Sequence, residues 1–282
     1  MKMNKAILFA AIIFTAISTF TSCIIEEGGG STKKATLAGV IIYVHTVENI
    51  SNVIEITDLA LKLDKYITAP ENEKAVIAAK YFPGYIMTLN AGQWSIKSPK
   101  ETYIIKPGSN SIHTVGSKWE ARSDGPMYTQ NYMSTPVFVE IECTGDKAWK
   151  LSVHEKTGYN IKFDADFTIS GSSLGVIYPY ALYEYMVIGG GNYQPFDSNV
   201  ANDFFHVDYM IKTSMKFVNW AASSNVNGPV PFIAISGKIE MFVSDDVLSS
   251  SLDHIIVEVV SQSSSGVTKI VTFNGITETW SN

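Results

Sequence analysis

Between Ile161 and Ile169 the chain alternates without a break. Ile161, Phe163, Ala165, Phe167 and Ile169 are apolar, and Lys162, Asp164, Asp166 and Thr168 fall between them. Successive side chains of a strand point to opposite faces, so this pattern describes a strand with one face in a core and one in water, the ordinary state in an antiparallel sheet. Residues 203–219 repeat it, with Phe205, Val207, Tyr209 and Ile211 set against His206, Asp208 and Lys212. Segments 232–243, 254–261 and 267–273 continue in the same way. Turn residues separate the runs at Pro107-Gly108-Ser109-Asn110, Gly145-Asp146, Asn227-Gly228-Pro229 and Ser263 to Gly266. Trp94, Trp119 and Trp149 each open a further strand-like stretch. From residue 85 onward the chain therefore predicts a mainly β protein, an antiparallel β-sandwich or barrel.

The N-terminal part reads differently. Residues 35–47 form an apolar, β-branched run and are expected as a strand. Val53, Ile56, Ala60, Leu63 and Ile67 then fall at helical spacing. Thr68, Pro70 and Glu71 resemble the start of a second helix, capped by Thr68, which ends at Pro83-Gly84. A short helical pair over residues 51–81 is thus expected to cover one face or end of a sheet. Composition shifts around Gly171 to Gly175, and a Gly- and Tyr-rich connection follows from 178 to 200. This divides the mature chain into a domain at 35–170 and another at 171–282, with a single continuous sheet system as the alternative.

Hydrophobic residues make up 46% of the 282 and charged residues 17%, enough apolar surface for a sizeable core. The formal charge is −6, and Arg122 is the only arginine. Nucleic-acid binding rests on clustered Lys and Arg, so a nucleic-acid partner is not expected. A site built on several guanidinium forks is excluded for the same reason.

The N-terminus carries an address. Lys2 and Lys5 precede the apolar run Ala6–Ile17, and Thr21-Ser22-Cys23 closes the segment. Basic, apolar and small-residue regions in that order make an export signal, residues 1–22. The apolar core is shorter than the roughly 20 residues of a membrane span, and no later segment is expected to reach that length. Cys23 after small residues, with Phe20 where many such signals have Leu, resembles the looser lipobox of Bacteroidetes lipoproteins. Glu26-Glu27 and the stretch Gly28–Thr32 resemble the acidic tether of the surface lipoproteins of that group. The resemblance implies lipidation at Cys23, a flexible tether over 23–34, and an outer-membrane position facing the cell surface, with the membrane as partner. It covers only these first residues and implies no catalytic residue. Lipidation of Cys23 leaves Cys143 as a lone thiol on a strand-like run, expected to be buried.

Reactive constellations are few. Gly171-Ser172-Ser173-Leu174-Gly175 matches G-x-S-x-G, but it follows an antiparallel-type strand and precedes no capped helix, so Ser173 is not expected to be a nucleophile. His206 and Asp208 share a strand face and lack a third metal ligand. Gly189-Gly190-Gly191 has no following Lys and reads as a flexible connection, not a phosphate loop. No catalytic residue, metal or cofactor is expected. The remaining candidate is aromatic: Tyr178, Tyr180, Tyr183, Tyr185 and Tyr193 lie in one short stretch. Tyr combines an apolar face with a polar tip, which suits a ligand-binding platform such as one for glycans. The expected function is non-catalytic ligand binding by a membrane-anchored lipoprotein, with glycans as the expected ligand class. The alternative is a structural or protein-interaction lipoprotein.

Overall fold

The computed structural model of the chain describes residues 31–98, 101–123, 138–154, 163–173, 182–193, 205–220, 232–245, 253–263 and 266–281. Cys23, the signal segment, Ile161, Lys162 and the turn at Asn227-Gly228-Pro229 lie outside them. Two helices come first, α1 (Ser31–Thr68) and α2 (Glu71–Tyr81). Thirteen strands follow among the described residues: β1 (Ile86–Asn90), β2 (Gln93–Lys97), β3 (Thr102–Lys106), β4 (Lys118–Ser123), β5 (Phe138–Gly145), β6 (Ala148–His154), β7 (Phe163–Ser173), β8 (Leu182–Tyr193), β9 (Phe205–Trp220), β10 (Phe232–Asp245), β11 (Asp253–Ser263), β12 (Gly266–Phe273) and β13 (Ile276–Ser281). Each pairs with the next in one open sheet, and every pairing is antiparallel.

The mainly β, antiparallel architecture agrees with the alternation in the sequence. In β7, Phe163, Ala165, Phe167 and Ile169 are buried while Asp164, Asp166, Thr168 and Ser170 are exposed. Trp94, Trp119 and Trp149 stand second in β2, β4 and β6. The connections that close hairpins use residues able to adopt positive φ. Ala91-Gly92 (φ 47° and 77°) and Asn274-Gly275 (φ 46° and 84°) are two-residue turns whose twist matches that of the flanking strands. The position near 170, where composition changes, falls inside β7. Ser170 there pairs with Ala148 on one side and Met186 on the other, so the sheet continues through it.

The concave face of the sheet is filled by α1. Its 38 residues make a rod roughly 57 Å long, and it packs against β4, β5 and β10 to β13. The strand predicted over 35–47 is instead the first part of this helix. An apolar run without alternation cannot be told from a buried helix by periodicity alone. The buried positions Thr36, Gly39, Tyr43, Thr46, Ile50, Val53, Thr57, Ala60 and Asp64 step by three and four, which keeps them on one helical stripe. The stripe is hard to read because its early members are Thr and Gly rather than large aliphatics. Gly39 permits close approach to the sheet, since a Cβ there would lie 3.3 Å from both Ile255 and Val271. Thr46 and Thr57 satisfy their buried hydroxyls on the carbonyls of Ile42 and Val53 one turn back, at 2.8 Å each.

By length and composition α1 also qualifies as long and apolar enough to cross a bilayer, contrary to the expectation that no segment after the signal would. In the structure its apolar surface is taken up by the sheet. Ile50, Val53 and Leu63 are fully buried against inward residues such as Ile105, Val139, Val187, Ile239 and Val257. Each side chain buried in this way contributes about 1.5–3 kcal/mol. At the helix end, Thr68 does not cap α2 as the sequence suggests. Its hydroxyl donates to the Asp64 carbonyl at 2.7 Å, and α2 begins after Pro70 without a side-chain cap. Glu71 and Glu73 in the first turn and Lys80 in the last complement the dipole of this helix.

The outward face is laced with ion pairs, including Lys118–Glu140 (3.0 Å), Lys216–Glu184 (2.7 Å) and Lys212–Glu240 (2.7 Å), and it also exposes large apolar side chains such as Ile188, Met210 and Phe242. Such exposed pairs contribute little each.

The glycine run is not a connection. Gly189, Gly190 and Gly191 lie within β8, paired to β7. A Cβ at Gly189 would fall 2.1 Å from the Asp166 carbonyl oxygen, and one at Gly191 would fall 2.3 Å from that of Asp164. Gly189 also has φ 137°, and Gly237 on β10 has φ 116°. The ladders slip near these positions, between Val187 and Gly190, around Gly237, and between Val259 and Ser261. The result is a crease that curls the sheet around α1. Gly189→Ala should therefore cost about 2–4 kcal/mol of stability, whereas Gly92→Ala, with open space around it, should cost only about 1 kcal/mol. Urea unfolding midpoints of the two variants check this, and equal losses would refute the crease.

Candidate functional site

Two of the five candidate tyrosines have their rings placed by the structure, and both face the helix. Tyr185 is 6% exposed and Tyr193 is 3% exposed. Both lie on the inward rows of β8, where Val187 is also buried. The Tyr185 hydroxyl donates to Asp58 Oδ1 at 2.6 Å, and Tyr193 Oη lies 3.0 Å from Thr46 Oγ1. Burial holds the Tyr193 phenol well above its usual pKa. These two rings fasten α1 to the sheet and do not form part of an exposed platform. Strand alternation is the reason, since alternate residues of β8 must point inward. Tyr183 belongs to β8, and Tyr178 and Tyr180 lie outside the described residues.

The other sequence candidates stay apart. Ser173 ends an antiparallel strand, not the strand-to-helix turn a nucleophile elbow needs. A Cβ at neighbouring Gly171 would meet the Tyr185 ring at 2.5 Å, so this glycine serves packing. His206 Nε2 and Asp208 Oδ1 approach to 3.0 Å on the outward face. Among the described residues no group of three or more His, Cys, Asp or Glu is arranged to hold a metal ion. Cys143 is free and buried, as its strand position predicts.

What the fold assembles, and the sequence leaves hidden, is a cluster of acids and phenols between α1 and the sheet. Glu55 and Asp58 project from the C-terminal half of α1. Asp58 Oδ2 meets Lys62 Nζ at 2.5 Å one turn on, while Oδ1 takes the Tyr185 hydroxyl. Lower down the helix, Asp64 accepts from Ser111 Oγ at 2.7 Å and from the Ile112 amide at 3.3 Å. His113 Nε2 stands 4.0 Å away. The Asp64 carboxylate fixes the loop between β3 and β4 to the helix end.

The centre of the cluster is Tyr103 on β3. Its hydroxyl oxygen is in hydrogen-bond contact with Glu55 Oε1 and lies 2.8 Å from Glu101 Oε2. A phenol carries one proton and can donate to only one carboxyl group. Both contacts are satisfied only if the other carboxyl is protonated and donates to the phenol oxygen. Glu55 is that group: desolvation lifts its pKa to about 8, with the nearby charges of Glu101 and Asp58 adding to the rise. Glu101 is also raised by burial, against hydrogen bonds from Tyr103 and Ser123. Tyr85, beside the cluster, is held above its usual pKa by burial and the same acids. Chemically the arrangement holds a proton between helix and sheet. The sequence signal for it is an acidic pair, Glu55 and Asp58, set among the apolar residues Val53, Ile54, Ile56, Leu59 and Ala60.

Comparison with known proteins returns no matching family model, no matching curated protein and no matching solved structure.

The pH dependence follows from Glu55. Its folded pKa lies above the unfolded one, so its stabilisation is complete at low pH and is lost as pH rises from about 4.5 through about 8. Glu55→Gln should flatten stability against pH across that window and leave the variant more stable than the parent above pH 8, by on the order of 1–3 kcal/mol. Urea midpoints from pH 5 to 9 test this, and parallel curves for the two proteins would refute it.

Proposed function

We propose that this chain is an outer-membrane lipoprotein, lipidated at Cys23 and joined to α1 by the short Gly-rich segment before Ser31, that works without catalysis by binding other proteins at the cell surface. The observation that carries the reading is the position of α1. Curled antiparallel sheets that bind small molecules keep their concave side open for the ligand. Here a helix occupies that side and is fastened to it by buried hydrogen bonds along its length. Binding is therefore assigned to the outer face and the edges, which suit a macromolecular partner. Glycan capture by the tyrosine segment has less support, because the Tyr185 and Tyr193 rings are spent on holding α1.

The anchor and the fold fit together under this reading. The tether runs directly into the start of α1, where Thr36 bonds to Glu278 and Trp280 of β13. That end faces the membrane. The other end of the helix, with α2 and the β1–β2 hairpin, projects away from it by the roughly 57 Å length of the rod.

Expression of the full chain beside Cys23→Ser tests the anchor. The parent should partition into outer membranes and carry acyl groups on its N-terminal peptide by mass spectrometry, and the variant should carry none. An unmodified, released parent would sink the lipoprotein reading. For the partner, photo-crosslinking on intact cells should capture a protein, and tryptophan fluorescence should stay flat across a panel of polysaccharides. Saturable polysaccharide binding would return the weight to glycan capture.

A further inference from the structure

Among the described residues the sheet has two free edges, β1 and β13. A free edge presents unpaired N–H and C=O groups to any other strand, and proteins blunt such edges with charges, proline, bulges or inward-pointing ionic groups. The β13 side has such devices. Glu278 accepts from Thr36 Oγ1 of α1 at 3.1 Å, and Lys269 points inward on the adjacent β12, where burial lowers its pKa to about 8. The β1 side has none. Ile86-Met87-Thr88-Leu89-Asn90 contains no charge and no proline, and it pairs with β2 without a register slip. Ile86 is 66% exposed and Leu89 59%.

The direction of the free backbone groups follows from the hairpin. Asn90 and Gln93 flank the two-residue turn, so they form a hydrogen-bonded pair. By alternation Thr88 and Ile86 also bond to β2, and the backbone groups of Met87 and Leu89 point outward to the free edge. The side chains of Met87 and Leu89 share the inward face with their cross-strand neighbours Ile96 and Trp94.

We propose that β1 is a self-association edge, at which two copies of this chain pair their β1 strands antiparallel about a two-fold axis through Thr88. In this register Met87 of one copy lies opposite Leu89 of the other, and the reverse. The outward backbone groups of Met87 and Leu89 then all find partners. The apolar inward row runs unbroken from Ile96 and Met87 of one copy into Leu89 and Trp94 of the second. Ile86 lies opposite Asn90, and no charge meets a like charge. A one-residue slip would oppose inward to outward side chains, and a two-residue slip would set Leu89 opposite Tyr85 in one direction or Met87 opposite Ala91 of the turn in the other, shortening the paired stretch of β1. The strand is thus complementary to itself, and two-fold pairing is the commonest way for such a patch to close. A five-residue strand gives a small interface. Tethering both copies to one membrane raises their effective concentration, a point that rests on the lipoprotein reading.

The test uses the full chain in cell membranes, with Thr88→Cys. In the proposed register the two Thr88 residues form a non-hydrogen-bonded pair with Cα atoms about 4.5 Å apart, within disulfide reach. Ile86→Cys, whose copies would stand roughly 13 Å apart, is the register control. Mild oxidation and a non-reducing gel should give a doubled-mass band for Thr88→Cys at a yield about tenfold above that of Ile86→Cys. Adding Leu89→Lys to Thr88→Cys should abolish it, with circular dichroism unchanged. Equal crosslinking at both positions, or a Thr88→Cys chain that stays monomeric, would overturn the proposal. So would crosslinking of Thr88→Cys only to a second chain carrying Thr279→Cys on β13. The membrane fraction of the same samples reports the anchor separately, so a failed edge and a failed anchor give different results.

Discussion

The placement of α1 in the concave face of the sheet is the constraint on which the rest of this structure depends. A meander of antiparallel strands with one apolar face must cover that face, either by closing on itself or by receiving another element. Among the described residues this sheet stays open at β1 and β13 and receives the helix. Hairpin pairing between neighbouring strands is local. The helix ties together strands far apart in the chain, from β13 at Thr36, through β10 at Ser51 and β8 at Asp58, to β3 at Glu55. The crease at Gly189 and Gly237 serves the same end, because a flat sheet could not wrap a rod.

Polar groups set the position of α1 within that embrace. Apolar packing tolerates sliding and rotation, whereas a buried carboxylate is costly in any position that leaves it unpaired. Asp58 finds Tyr185 and Lys62, Asp64 finds Ser111 and the Ile112 amide, and Glu55 finds Tyr103. Rotation by one residue or a shift by one turn would break all of these contacts together. The proton shared among Glu55, Tyr103 and Glu101 belongs to this scheme. Two carboxyl groups can approach one phenol only if the pair does not carry its full charge.

This division of labour also bears on function. The side chains best suited to chemistry, the acids and phenols of the interior, face one another and are consumed in locating the helix. What remains accessible among the described residues is the outer face and the two edges, and these edges are unlike in character. One has inward ionic groups beside it, and the other is a short, uncharged strand.

Much of the fold was legible in the residues themselves. Alternation is a local property, so β7 and β9 to β12 could be read directly, as could the helical spacing from Val53 to Ile67 and the strand openings at Trp94, Trp119 and Trp149. Residues 35–47 could not, because a wholly buried helix and a wholly buried strand are both simply apolar. Gly189 to Gly191 look like a flexible link until a neighbouring backbone is seen to lie where their Cβ atoms would be. Tyr185 and Tyr193 look like a platform until the sheet turns them inward. Glu55 and Tyr103 are 48 residues apart, and Asp58 and Tyr185 are 127 apart. Local pattern therefore determined the strands that alternate and which face of each is apolar, because both depend on backbone periodicity and side-chain type alone. Tertiary structure decided what covers that face, which acids meet and which tyrosines remain free, because those outcomes depend on contacts between segments that carry no mark of one another.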